Sequence, residues 1–188
     1  MNSKRIVITG APGTGKTAVI NALEAAGYVC FPEVIREFTQ EETSQKLPEE
    51  IKSNPIVFAN DSLDFNQKLI AGRKAQYLNA KASAQCINFY DRGLPDVLAY
   101  MDFFNQEYPE EFVKACAGHT YDAVFIMPPW KDIFHTDGGR FETYSEAVAL
   151  HDCLIQQYKT FNYNLDLVPL DTIAARAAYI INKTTALL

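Results

Sequence analysis

No apolar run in this sequence approaches the roughly 20 residues needed to span a bilayer. No stripe of lysine and arginine offers itself to a phosphate backbone either. The net charge is −6 and the pI is near 5.1. Non-specific affinity for nucleic acid comes from clustered cations, so this balance argues against a nucleic-acid partner. The four cysteines, Cys30, Cys86, Cys116 and Cys153, form no CxxC pair and have no histidine at metal-ligand spacing. They read as reduced, inert core thiols. The N-terminus, Met1-Asn2-Ser3-Lys4-Arg5, runs straight into a strand-like segment, without the longer apolar stretch and cleavage site of a signal peptide. These absences point to the cytoplasm and away from a membrane. No repeat, low-complexity tract or linker divides the 188 residues, so a single domain over 1–188 is expected.

Short apolar runs alternate with longer amphipathic ones. That alternation predicts an α/β fold with a mainly parallel sheet, doubly wound, with helices on both faces. Strands are expected at 5–9, 28–32, 86–90, 122–127 and 165–168. Helices are expected at 15–26, 62–84, 95–104, 109–117, 144–161 and 172–187. The polar, proline-bounded stretch 37–55 reads as loop, as does the glycine-containing stretch 130–143.

Gly10-Ala11-Pro12-Gly13-Thr14-Gly15-Lys16-Thr17 matches GxxxxGK[ST] at every fixed position, with a strand before it and a helix after it. In such a phosphate loop the glycines let backbone N–H groups converge on phosphate oxygens. The helix N-terminus adds unpaired donors and about half a positive charge. Lys16 is expected on the β- and γ-phosphates and the Thr17 hydroxyl on Mg²⁺.

Further residues gather at strand ends, where ligands sit on open α/β sheets. Asp91, closing Phe89-Tyr90-Asp91, is the candidate carboxylate for Mg²⁺ or its water, with Arg92 beside transferred phosphate or acceptor. Their bland alternative is a turn-capping acid paired with its neighbour. Glu33, after the second strand, is either a base toward an acceptor hydroxyl or a helix-start acid paired with Arg36. Glu37 is a weaker candidate. The loop after the fourth strand, about 128–143, reads either as a lid or as an exposed charged loop. As a lid it would place Arg140, or secondarily Lys131, on the charge developing at the γ-phosphate. His135 and Asp137 make only a weak metal pair. The turn from Val168 to Arg176 is a candidate neighbour of the base.

The phosphate loop, PE-x-x-RE, YDRG-x-PD, PPW…GGRF and VP-L-D-x-x-x-x-R, in that order, resemble the AAA-type ATPase/kinase domain family of P-loop proteins. That family includes the nicotinamide-riboside-kinase domain of the bacterial NAD regulator. The resemblance implies a nucleoside/nucleotide-kinase-like core of five parallel strands, ATP with Mg²⁺, and a lid. Two functions follow as expectations: phosphoryl transfer to a small-molecule hydroxyl, nucleoside- or riboside-like, or an ATP-dependent regulatory switch. A guanine-reading NKxD segment is missing, since Asn182-Lys183-Thr184-Thr185 lacks the aspartate.

Overall fold

The computed structural model describes residues 3–34, 62–80, 86–134 and 142–188. Among them five strands form one sheet: β1 (Lys4–Gly10), β2 (Val29–Phe31), β3 (Ile87–Asp91), β4 (Ala123–Met127) and β5 (Leu165–Leu167). The helices are α1 (Lys16–Ala25), α2 (Ser62–Leu78), α3 (Pro95–Phe103), α4 (Glu110–Gly118), α5 (Tyr144–Thr160) and α6 (Ile173–Thr185). The strand order is β2-β3-β1-β4-β5 and every pairing is parallel. This is the architecture the sequence alternation predicts.

β1 is central because its middle is apolar on both faces, as a strand covered by helices on either side requires. Ile6 and Ile8 point into a cluster with Val19, Ile20 and Leu23 of α1 and Ala177 and Ile180 of α6. Val7 points the other way, toward Tyr90, Tyr121, Val124 and Tyr158. On that second side α3 and α5 add Val97, Leu98, Met101, Leu150 and Leu154, and α2 adds Phe65, Leu69 and Ile70. Period-two alternation along a strand therefore sorts two helical layers.

The expected boundaries hold to within a residue or two except at one place. The second expected helix, 62–84, ends at Leu78, although the Asn79 amide still donates to Ala75 O at 2.9 Å. The chain has to turn before it enters β3 at Ile87, and a helix reaching residue 84 would leave two residues for that turn. Cys86 takes a positive φ of 53° there, and its carbonyl accepts from the Lys4 amide at 2.8 Å.

Among the described residues no helix is long and apolar enough to cross a membrane. All four cysteines are free thiols, Cys116 buried and the other three half-buried. Burial pushes Cys30 and Cys116 up to about 12, the opposite of an activated thiolate. Arg36, Glu37, His135, Asp137, Arg140 and the 37–55 loop lie outside the described residues, as does the 135–141 part of the expected lid.

Candidate active site

The phosphate loop leaves the C-terminal end of the central strand and closes into the first turn of α1. Its conformation is one that glycine permits. Gly10 has φ +148°, and a Cβ there would come within 2.5 Å of the Met127 carbonyl on β4. Gly15, at φ +83°, forms the N-cap of α1 without a side-chain cap, and no acid lies in the first turn. A helix end of this kind suits an external anion. Thr14 Oγ1 donates to Ala11 O at 2.9 Å and tightens the loop from within.

Lys16 lies across this loop. Its Nζ donates to Gly10 O and Ala11 O, each at 2.8 Å, and approaches Thr14 Oγ1 at 3.5 Å. Burial, reinforced by the Arg92 cation, pushes the ammonium from an ordinary 10.5 down to about 7, although Asp91, Glu33 and Asp96 pull in the opposite direction. Lys16, Glu33, Asp91 and Arg92 therefore share one electrostatic neighbourhood, and all four are buried. Thr17 follows as the second residue of α1. Asp91 closes β3 in register with Ile8 of β1, one residue ahead of Thr9 and two ahead of the loop.

The strand-end residues join a larger ionic network. Glu33 is held between Arg73 of α2, whose Nη2 lies 3.0 Å from Oε1, and the Arg92 Nε, which meets Oε2. Arg73 Nη1 also donates to Gly93 O at 2.7 Å. Arg92 Nη1 donates to Asp96 Oδ1 and to Gly10 O, both at 3.2 Å, and its guanidinium lies 5.1 Å from the Tyr100 ring. Asp96, fully buried in the first turn of α3, accepts from Thr9 Oγ1 at 2.5 Å, Tyr158 OH at 2.5 Å and the Gly93 amide at 2.9 Å. Burial would raise its carboxyl. Arg73 and Arg92, then the Thr9 and Tyr158 hydrogen bonds, outweigh that and hold it below the ordinary carboxylate value. Arg92 adopts φ +75°, a left-handed conformation that costs a non-glycine residue on the order of 1–3 kcal/mol. Its contacts with Glu33, Asp96 and Gly10 offset that cost.

Of the residues expected from sequence, Lys16, Glu33, Asp91 and Arg92 are thus brought together around the loop. Lys131 is exposed, in a 3₁₀ turn over Lys131–Ile133. Sequence reasoning did not single out Thr9, Arg73, Asp96 or Tyr158 as parts of the site. Two of them left a trace. Arg73 continues the buried α2 face of Asn66, Leu69 and Ile70 at helical spacing, a cation where an apolar residue belongs. Asp96 stands four residues after Arg92, just inside a helix that begins at Pro95.

Among the described residues no three His, Cys, Asp or Glu side chains cluster as a protein-built metal cage. One hydroxyl at Thr17 and one strand-end carboxylate at Asp91, beside a phosphate loop, are instead a donor set suited to Mg²⁺. That ion keeps several waters and takes phosphate oxygens as ligands.

A comparison with curated protein sequences finds no match. Solved structures do match over nearly the whole chain. NadR protein in complex with NR superposes with a TM-score of 0.69 at 20% identity, covering 98% of this chain and 50% of that one. The chain therefore spans about half the length of NadR. Deoxyadenosine kinase from M. mycoides, with products dcmp and dcdp, gives 0.65 at 16% identity, covering 97% of this chain and 99% of that one. Thymidylate kinase from Ehrlichia chaffeensis gives 0.63 at 15% identity, with 98% and 100% covered. These likenesses show a fold shared with P-loop nucleoside and nucleotide kinases. The AAA domain family model matches residues 5–176, most of the chain from β1 into α6, and the protein belongs to that family.

Proposed function

We propose that the chain binds ATP with Mg²⁺ at Gly10–Thr17 and transfers the γ-phosphoryl group to a hydroxyl of a small, uncharged, nucleoside- or riboside-like acceptor. The observation that carries this reading is geometric: Lys16 Nζ and Arg92 Nη1 both donate to Gly10 O, Arg92 also meets Glu33, and Asp91 ends the strand paired with β1. This arrangement brings a phosphate-binding cation, a metal-type carboxylate and a second carboxylate together at the C-terminal edge of the sheet.

In this reading the ammonium of Lys16 exchanges its loop carbonyls for phosphate oxygens, and the loop amides complete the cradle. Thr17 and Asp91 would hold Mg²⁺, which supplies charge neutralisation on the phosphates. Glu33 orients the acceptor hydroxyl and takes its proton as the oxygen bonds to the γ-phosphorus and the bond to the bridging oxygen of ADP breaks. Both Glu33 oxygens meet guanidiniums, which hold the carboxylate in one orientation. Among the described residues each guanidinium of the cluster is matched by a carboxylate. That balance favours an uncharged acceptor over one carrying its own phosphate.

The test is ATP consumption measured across nucleosides, ribosides and sugars. Turnover should depend on one acceptor class. Glu33→Gln should lower kcat by about 10²-fold, within the range of general-base contributions, while leaving ATP affinity nearly intact. Turnover indifferent to every acceptor would defeat the reading and favour a nucleotide-dependent switch.

A further inference from the structure

Two contacts grip the phosphate loop from outside, and the function proposed above uses neither. The first comes from Arg176 of α6. Its Nη1 donates to Thr14 O at 2.8 Å, and a Cβ on Gly15 would meet the guanidinium at 3.0–3.1 Å. Arg176 is buried, and its guanidinium lies 5.6 Å from the Trp130 ring, within cation–π range. The second comes from Phe134, whose ring would stand 2.6 Å from a Cβ at Gly13. The segment after β4 and the helix α6 thus brace the loop at adjacent positions, Gly13 and Thr14–Gly15.

Peptide geometry gives the Arg176 contact a consequence. The Thr14 carbonyl and the Gly15 N–H belong to one peptide unit. In a trans peptide they point in opposite directions, and no cis bond occurs among the described residues. Drawing the carbonyl outward to the guanidinium therefore turns the Gly15 N–H inward, to the hollow where the loop amides converge. Gly15 has no side chain to limit its half of that rotation, so the Arg176 contact acts with the Thr14–Ala11 hydrogen bond to orient the peptide.

We propose that Arg176 is a positioning residue for phosphate binding: it fixes the Thr14–Gly15 peptide so that the Gly15 amide faces the bound phosphates, and Trp130 holds its guanidinium in place. This rests on the reading of Gly10–Thr17 as a triphosphate site. It makes α6, some 160 residues from the loop in sequence, part of the phosphate-binding machinery.

The test compares wild type, Arg176→Lys and Arg176→Met by calorimetry, with inorganic tripolyphosphate, ADP and adenosine as probes. Trp130 is the chain's one tryptophan and supplies a second signal by fluorescence. Tripolyphosphate has no base, so it isolates the amide's role. The expected result is a loss of about tenfold or more in affinity for tripolyphosphate and ADP in Arg176→Met, with partial recovery in Arg176→Lys. Adenosine binding should barely change. The Gly15 amide resonance of the unliganded protein should shift in both variants.

Equal tripolyphosphate affinity in wild type and both variants would overturn the proposal, as would a loss confined to ADP and adenosine, which would assign Arg176 to the base. If Arg176→Met unfolds, Arg176→Lys carries the same comparison, and a fall in melting temperature without a change in affinity also counts against it. Failure of wild type to bind tripolyphosphate and ADP would remove the triphosphate site itself, a result distinct from any difference among variants.

Discussion

The two sides of the candidate site are built by different means. The phosphate loop takes its shape from backbone conformations that glycines allow, and its layer, between α1 and α6, is apolar around Ile6, Ile8, Leu23 and Ile180. The other side is held by buried charge, with Glu33, Arg73, Arg92 and Asp96 tied to Thr9 and Tyr158. A loop that must present amides to an anion needs only local geometry. A carboxylate that must stay oriented inside a protein needs cations and donors packed around it, because an unmatched buried charge is far more costly than an unfilled turn.

If that contrast is right, the largest stability loss lies on the ionic side. Asp96→Asn removes the charge facing Arg73 and Arg92 and should cost about 3–5 kcal/mol, as breaking a buried ion pair does. Urea unfolding monitored by circular dichroism checks it, and a loss below about 1 kcal/mol would mean that the network relaxes freely. On the loop side Lys16→Met should behave in the reverse way. Triphosphate affinity should fall by about 10²-fold, roughly 2.7 kcal/mol. Stability should hold or rise, because a desolvated cation has been replaced by an apolar chain of similar length. Calorimetric titration and a thermal melt on one preparation report both effects.

A smaller effect concerns pH. Lys16 sits near 7 in the folded protein against an ordinary 10.5, so the unfolded chain holds a proton there that the folded one has lost between those values. Its contribution to stability therefore rises with pH across that window. Affinity for triphosphate runs the opposite way, since only the ammonium pairs with phosphate. It should weaken above about pH 7, approaching tenfold per pH unit, about 1.4 kcal/mol. The Lys16→Met variant should lose most of that slope.

The smallest effect lies where α5 begins, far along that helix from Tyr158. Thr143 caps it with Glu146 in a capping box, the Glu146 amide donating to Thr143 Oγ1 at 3.3 Å. Thr143→Ala should cost about 1 kcal/mol in a thermal melt. A cost as large as that of Asp96→Asn would erase the distinction between local and networked stabilisation.

The same distinction explains what the sequence reveals. Gly10–Thr17 is legible because every requirement of the loop falls within eight consecutive positions. Asp91 and Glu33 are legible as acids at strand ends, and the strands themselves as apolar runs between turn signals. Thr9 meets Asp96 across 87 residues, Tyr158 meets Asp96 across 62, and Arg73 meets Glu33 across 40. Those pairings depend on how helices pack on the sheet, which local periodicity does not encode. Arg176 closes a stretch that reads from sequence as a neighbour of the base, and its guanidinium contacts a loop carbonyl. Its spacing from the loop gives no hint of that contact.

The strand order has a consequence for how the protein comes into being. β1 and β2 are consecutive in the chain but do not pair with each other; each pairs with β3. A nascent chain that has emerged only through α1 therefore carries the complete GxxxxGK[ST] motif with no sheet to hold it, until residues 87–91 arrive. The Met127 carbonyl beside Gly10 appears later still, and the Arg176 guanidinium later again. The loop thus acquires its full set of contacts only after residues that follow it by some 160 positions, and nucleotide capture by a nascent chain should await them.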